Sequence, residues 1–153
     1  MGINYMNKIV IKHVVPPSEA KTIREFLVTI DNVIIPKLSE RVNINEYANK
    51  LSKSADLFYL LEGQKIVGNV AVYLNSKEKG YITSFAILSQ YQKMGLGKRL
   101  FSEVRKEAEK RGIKCIDLEV YEDNEKAIKF YQKQGFVTEN KREKWLKMSY
   151  IIG

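Results

Sequence analysis

Cysteine is almost missing from this chain of 153 residues: Cys115 stands alone, so no disulfide can close within it, and a reducing, cytoplasmic setting is the simplest expectation. Histidine is as scarce, with one residue, His13. One imidazole and one thiol cannot make a structural zinc site, and no metal is expected. Long apolar runs are absent as well. No stretch approaches the ~20 residues of a membrane helix, so no membrane association is expected. The N-terminal MGINYMNKIVIK has no long apolar segment ahead of a small-residue cleavage site, so no signal peptide is expected. Gly2 lacks the Ser or Thr that accompanies myristoylation. Internal repeats, low-complexity tracts and linkers are not found either, and residues 1–153 read as one domain, long enough to bury a real core.

Positive charge, by contrast, is abundant. Lys and Arg number 26 against 18 Asp and Glu, for a formal charge of +8. Its placement says more than its size. Residues 92–114 carry eight basic and three acidic side chains, and residues 132–147 carry five and two. That gathering favours an anionic ligand, partner or surface, nucleic acid among them. A solvated basic helix face is the competing explanation.

The periodicity of the chain gives its elements. Lys8 to Val15 alternates loosely, as a strand. Ser18 is placed to cap a helix in which Ile23, Phe26, Leu27 and Ile30 share a face. Ile34-Ile35-Pro36 argues against helix across 31–42, because the residue before proline avoids that conformation. Asn43 with Glu46 resembles a capping box for a second helix carrying Tyr47 and Leu51. Leu57–Leu61 and Ile66–Leu74 read as a hairpin, with Gly68 marking a bulge or a close backbone approach. Tyr81–Leu88 is a further strand. Leu96, Leu100, Phe101, Val104 and Ala108 make a helical stripe that Gly112 ends. Lys114–Val120 follows a crossover helix and should run parallel to the strand before it. Asn124 opens a helix that Gly135 closes, and Phe136–Thr138 and Lys144–Ile151 read as closing strands. The expectation is an α+β domain around a mixed sheet.

Two segments carry chemistry. In Gln92-Lys93-Met94-Gly95-Leu96-Gly97, glycines let backbone approach an anion, the exposed amides of a first helical turn stabilise a phosphate, and Lys93, Lys98 and Arg99 add charge. Alone the string is weak: a tight turn with no ligand explains it equally. It is no P-loop, since Arg99 follows Gly97-Lys98, and it lacks G-x-G-x-x-G. In Leu118–Phe136, Glu119 lies on a buried strand, Asn124 starts a helix and Tyr131 sits two turns on. A carboxylate there takes a proton from an amine, and a tyrosine returns one to a thiolate leaving group. Each also has a structural explanation: a solvated strand residue, a helix cap, a packed aromatic. His13 reads as structural, Cys115 as buried rather than nucleophilic, and Trp145 as packing or lining of an acceptor site.

The glycine loop followed by N-x-x-A-x-x-x-Y-x-x-x-G-F resembles the GNAT superfamily of acyl-CoA-dependent N-acetyltransferases, closely over Tyr81–Phe136 and in element order before that. The resemblance implies a mixed, mostly antiparallel sheet of about seven strands, splayed into a V between its central parallel pair and flanked by about four helices. It implies acetyl-CoA as co-substrate. The backbone of Ala86 and Ile87 would bind pantetheine, with the Ile87 amide facing the developing oxyanion. Gln92, Lys93, Met94, Gly95, Leu96, Gly97 and Lys98 would hold the pyrophosphate, and Asn124 the pantetheine arm. Tyr131 would meet the thioester sulfur as general acid, and Glu119 would be general base for direct attack by a primary amine. Gln92 stands where arginine is common in the superfamily, which removes no backbone amide. The acceptor is left open between a small-molecule amine or amino sugar and a protein N-terminus, and a homodimer is a family-level expectation. The alternative is a non-catalytic acyl-CoA sensor or nucleic-acid-binding module on the same fold. Acetyl-CoA binding without turnover of any amine would favour that alternative.

Overall fold

Proline and glycine punctuate the chain where its elements begin and end. In the structure, a computed structural model, residues 8–153 are described; the readings for a leader and for Gly2 lie outside the described residues. The elements are β1 (Ile9–Val14), α1 (Ala20–Ile30), α2 (Ile44–Ser54), β2 (Asp56–Glu62), β3 (Lys65–Tyr73), β4 (Lys79–Ile87), α3 (Leu96–Lys110), β5 (Cys115–Tyr121), α4 (Glu125–Gln134), β6 (Val137–Arg142) and β7 (Trp145–Ile151). Short 3-10 turns occupy Leu38–Glu40 and Ser89–Tyr91.

Local chemistry accounts for most boundaries. Asn43 accepts the Glu46 amide at 3.0 Å and starts α2. Asn124 accepts the Ala127 amide at 3.2 Å and starts α4. Gly112 and Gly135 take positive φ, 77° and 112°, just past α3 and α4. The cap of α1 is a correction: Glu19, not Ser18, holds that position and makes no side-chain cap bond. The Ser18 amide bonds the Ser52 carbonyl of α2 at 2.8 Å, and its buried hydroxyl makes no hydrogen bond among the described residues. Gly68 meets both expectations. The β2–β3 register shifts beside its partner Leu60, and a Cβ on Gly68 would come within 2.7 Å of Leu60 Cδ1.

All seven strands form one sheet in the order β1-β2-β3-β4-β5-β7-β6. Every pair is antiparallel except β4–β5. That parallel pair joins only Lys79–Ile82 to Cys115–Leu118. Beyond it β4 continues to Ile87 and β5 to Tyr121 without pairing to each other. The expected V is this parting. The closing hairpin is less simple than its order in the chain: β7 lies between β5 and β6, so β6 becomes the exposed edge.

The core stripe of α3 is the one the periodicity marks, Leu96, Leu100, Phe101, Val104 and Ala108, all buried. The far end of α3 is tied by charge. Buried Asp56 receives Arg111 at 2.6 Å and His13 at 2.6 Å, and His13 stacks on Phe58 with ring centroids 4.2 Å apart. His13 is thus structural, as its sequence position indicates. Buried Asp117 accepts the Ser149 hydroxyl and pairs with Lys79 at 3.0 Å and Lys147 at 3.5 Å. Burial pushes its carboxyl up, but those partners outweigh it and hold the group below its usual range. Burial and Asp117 raise the half-buried Cys115 thiol, which disarms it as a nucleophile.

Candidate active site

Where β4 and β5 part, a cleft of about 890 Å³ opens between α4, the start of α3, the 33–42 segment and the β6–β7 hairpin. One end is built around the glycine loop. Gly95 is the cap of α3 at φ 76° and supplies no side chain to its amides. Lys93 also takes positive φ, 65°, and such left-handed turns gather successive amides into an anion-binding concavity. The first-turn amides of α3 have no carbonyl to bond within the helix and carry its positive end. Nothing lies within 4 Å of a Cβ built on Gly95, so the approach is open. Gly97 is needed for a different reason: its Cβ would stand 3.0 Å from the Phe130 ring of α4. Lys93, Lys98 and Lys126 line this end.

The β4 backbone can be read from its register. The Leu88 amide bonds the Val67 carbonyl at 2.9 Å, and Gly68 pairs with Ile87, Asn69 with Ala86. Bonded and non-bonded pairs alternate along an antiparallel ladder. The polar groups of Ile87 and Phe85 therefore turn away from β3 towards the cleft, and those of Ala86 turn into the ladder. The Ile87 carbonyl is already taken by the Gln92 side-chain amide at 2.8 Å, and the Gln92 carbonyl receives the Lys126 ammonium from α4. Gln92 is thus a bridge across the cleft as well as a loop residue. Asn124 spends its carbonyl oxygen on the α4 cap, and among the described residues its amide NH₂ has no side-chain partner. These groups fit a phosphate with an amide-bearing arm: uncapped amides, lysines, and an unpaired strand edge facing the gap.

Midway along the cleft, Tyr131 is 9% exposed. Phe85, Phe130 and Phe136 hold its ring, at centroid distances of 5.9, 5.4 and 5.5 Å. Burial raises its hydroxyl well above the ordinary tyrosine value. Glu119 lines the same cleft from β5; the Tyr81 hydroxyl donates to it at 3.2 Å. Burial first, and the Glu119 charge second, raise the Tyr81 hydroxyl well above its ordinary value. The structure therefore brings Glu119, Tyr131, Asn124 and the loop residues Gln92, Lys93, Gly95, Leu96, Gly97 and Lys98 to one cleft, whereas the exposed side chain of Met94 does not line it. Tyr81 was not marked by its sequence. It approaches Glu119 only because the parallel register sets Tyr81 beside Asp117 and Ile82 beside Leu118.

The other end is assembled from distant segments. Tyr47 of α2 bonds the Thr83 hydroxyl at 2.6 Å and the Thr83 carbonyl at 3.0 Å, and burial pushes its own hydroxyl up to about 12. Val33, Ile34 and Ile35 form an apolar wall, and Trp145 faces it with Arg41 over its ring at 5.0 Å. Trp145 lines the cleft as well as packing against Tyr121.

Comparison with known proteins adds to this geometry. The Acetyltransferase (GNAT) family model matches residues 22–136. The chain is 26% identical over 126 residues to the N-terminal acetyltransferase B complex catalytic subunit NAA20 of Arabidopsis thaliana, covering 76% of this chain and 72% of that one. It is 26% identical over 118 residues to the [Ribosomal protein bS18]-alanine N-acetyltransferase of Escherichia coli, covering 71% and 80%. Some further relatives are matched over only about half of their length. Among solved structures, the PaiA N-acetyltransferase of Thermoplasma acidophilum in complex with coenzyme A superposes with a TM-score of 0.75 at 17% identity, covering 94% of this chain and 99% of that one.

Proposed function

The chain belongs to the acetyltransferase (GNAT) family, and we propose that it acetylates the α-amine of a protein or peptide N-terminus, with Glu119 as general base and Tyr131 as general acid. Acetyl-CoA is the co-substrate and supplies the acetyl group as an activated thioester. The observation that carries the reading is that Glu119 and Tyr131 line one cleft, at the place where β4 and β5 separate. The acceptor class is supported by the relatives that act on protein N-termini.

The roles follow from environment. An amine must be neutral to attack. An α-amine, with pKa near 7.7–8.0, is partly neutral at pH 7, whereas a lysine near 10.4 is almost wholly protonated. Glu119, exposed and held by Tyr81, accepts the remaining proton and passes it to solvent. Tyr131 keeps its proton at neutral pH because burial penalises the phenolate, and that is the form a general acid requires. The Ile87 amide faces the gap and is positioned to donate to developing negative charge. On the acetyl-donor side, the Gln92–Lys98 loop holds phosphate and Asn124 the amide-bearing arm.

An amine panel that includes short peptides, read by thiol release and mass spectrometry, tests this. The expected result is a single acetyl on the peptide α-amine. Acetyl-CoA binding with no acceptor turned over would overturn the enzymatic reading. Turnover confined to lysine side chains or small amines would overturn the choice of acceptor.

A further inference from the structure

The glycine loop does not hold its own shape. Among the described residues the amides of Lys93, Met94, Gly95, Leu96, Gly97 and Lys98 donate to no backbone carbonyl, and the first bond into α3 runs from Arg99 to the Gly95 carbonyl at 3.2 Å. Lys93 and Gly95 both take the left-handed conformation. With six amides unpaired, the path of the loop is left to whatever fixes its two ends. One end is α3, anchored by the buried Leu96. The other is the short 3-10 turn Ser89–Tyr91, none of whose residues is buried. Two backbone bonds close that turn, Tyr91 to the Leu88 carbonyl at 2.9 Å and Gln92 to the Ser89 carbonyl at 3.2 Å. A lone 3-10 turn has poor hydrogen-bond geometry and is a weak support by itself.

Side chains carry the turn to the sheet. The Tyr91 hydroxyl donates to Glu62 at 2.5 Å, the length of a bond to an ionised acceptor. Lys65 lies over the same ring, 5.8 Å from its centroid. Glu62 ends β2, Lys65 begins β3, and the two face each other across the hairpin. Among the described residues Glu62 forms no ion pair, so its charge is spent on Tyr91. The next residue, Gln92, is tied to a different strand through the Ile87 carbonyl at 2.8 Å. Ties at adjacent residues to two strands fix the direction in which the chain enters the loop as well as its place. Tyr91 lines the cleft, whereas Glu62 and Lys65 stand behind it.

We propose that Glu62, acting through Tyr91, is a positioning residue for the acetyl donor. It sets the path of the Lys93–Lys98 amides, and so the affinity for the phosphate part of coenzyme A, without touching the ligand. The gain is preorganisation, since a loop held in its binding shape loses less freedom when the anion arrives. Lys65 braces the ring and contributes less, because its ammonium is exposed. This deepens, and rests on, the reading that the glycine loop holds phosphate.

The test is calorimetric titration of the full chain with CoA, with pantetheine, which has no phosphate, measured as its competitor; no acceptor is needed. Tyr91→Phe and Glu62→Ala should each weaken CoA about five- to tenfold and leave pantetheine unmoved. Glu62→Gln, which keeps an oxygen to accept the hydroxyl, should retain most of the affinity. The double variant Tyr91→Phe/Glu62→Ala should bind CoA no more weakly than either single one, because both remove the same contact. Thermal midpoints are read in parallel. A lowered midpoint with CoA affinity unmoved, an equal loss for CoA and pantetheine, or losses that add in the double variant would overturn the Glu62 assignment while leaving the phosphate reading in place. If wild-type protein binds pantetheine as tightly as CoA, the phosphate reading falls and the assignment falls with it.

Discussion

The two ends of the cleft are made in different ways. In the proposed reading the acetyl-donor end comes largely from one continuous stretch, Gln92 to Lys98, and would recognise its ligand with backbone amides that any residue supplies. The proposed acceptor end draws on α2, the 33–42 segment, β4, β5 and the β6–β7 hairpin, and presents side chains to the cleft: Tyr47, Tyr81, Arg41, Trp145. Backbone recognition tolerates change of side chain as long as the loop keeps its path, so glutamine at position 92 removes none of the amides it would use. Side-chain recognition is free to vary with the substrate. The difference teaches where to look for shared function and where for specificity.

Substitutions at the junction of the two ends should show the largest effect. Tyr131→Phe removes the proton that the proposed mechanism assigns to the leaving group and should lower kcat about 10³-fold, with acetyl-CoA KM little moved. Steady-state kinetics decides this, and an unchanged kcat would remove the tyrosine from its role. Because burial raises that hydroxyl above its ordinary value, Tyr131 stays protonated through pH 10. No alkaline fall in kcat below that pH should trace to it, which a pH–rate profile will show. Glu119→Gln should cost about 10²-fold in kcat/KM for the acceptor, and the loss should narrow as pH rises and the amine sheds its proton unaided. Tyr81→Phe, which removes the hydroxyl that bonds Glu119, should act in the same direction by several-fold only, about what one ordinary exposed hydrogen bond of ~1 kcal/mol contributes.

Gly97→Val attacks the donor end through packing. With Phe130 already 3.0 Å from a Cβ, α3 and α4 must part, costing about 1–3 kcal/mol and raising acetyl-CoA KM while peptide selectivity persists. Loss of peptide selectivity in that variant would break the separation of the two ends. The smallest change is expected for Lys126→Ala. An exposed cation at the mouth contributes at most about 1 kcal/mol, so acetyl-CoA KM should rise up to about fivefold, and S-acetyl-pantetheine, which has no phosphate, should be unaffected.

How much of this was legible in sequence varied with how local each feature is. Asn43, Asn124, Gly112 and Gly135 act within one helical turn, and each sits where its residue type placed it. The α3 stripe was legible because helical spacing alone selects its buried face. Ser18 misled because the helix begins one residue later, with Glu19 at the cap, while the Ser18 amide packs onto Ser52 of α2. The resemblance names Ala86 and Ile87 together, but which of them turns its backbone to the gap depends on the β3–β4 register, a pairing between segments. The position of β7 between β5 and β6 is likewise a choice that short closing strands leave open.

By itself, then, the sequence determined the elements, the glycine loop and the Glu119–Tyr131 spacing, because caps, periodicity and motif geometry are settled within a few residues of chain. Only the tertiary structure decided that β4 and β5 part after Ile82 and Leu118, that Tyr81 reaches Glu119, and that Arg41 lies on Trp145. Those contacts join residues 38 and 104 positions apart, and their geometry is set by sheet register and by the packing of whole elements, which no local pattern encodes.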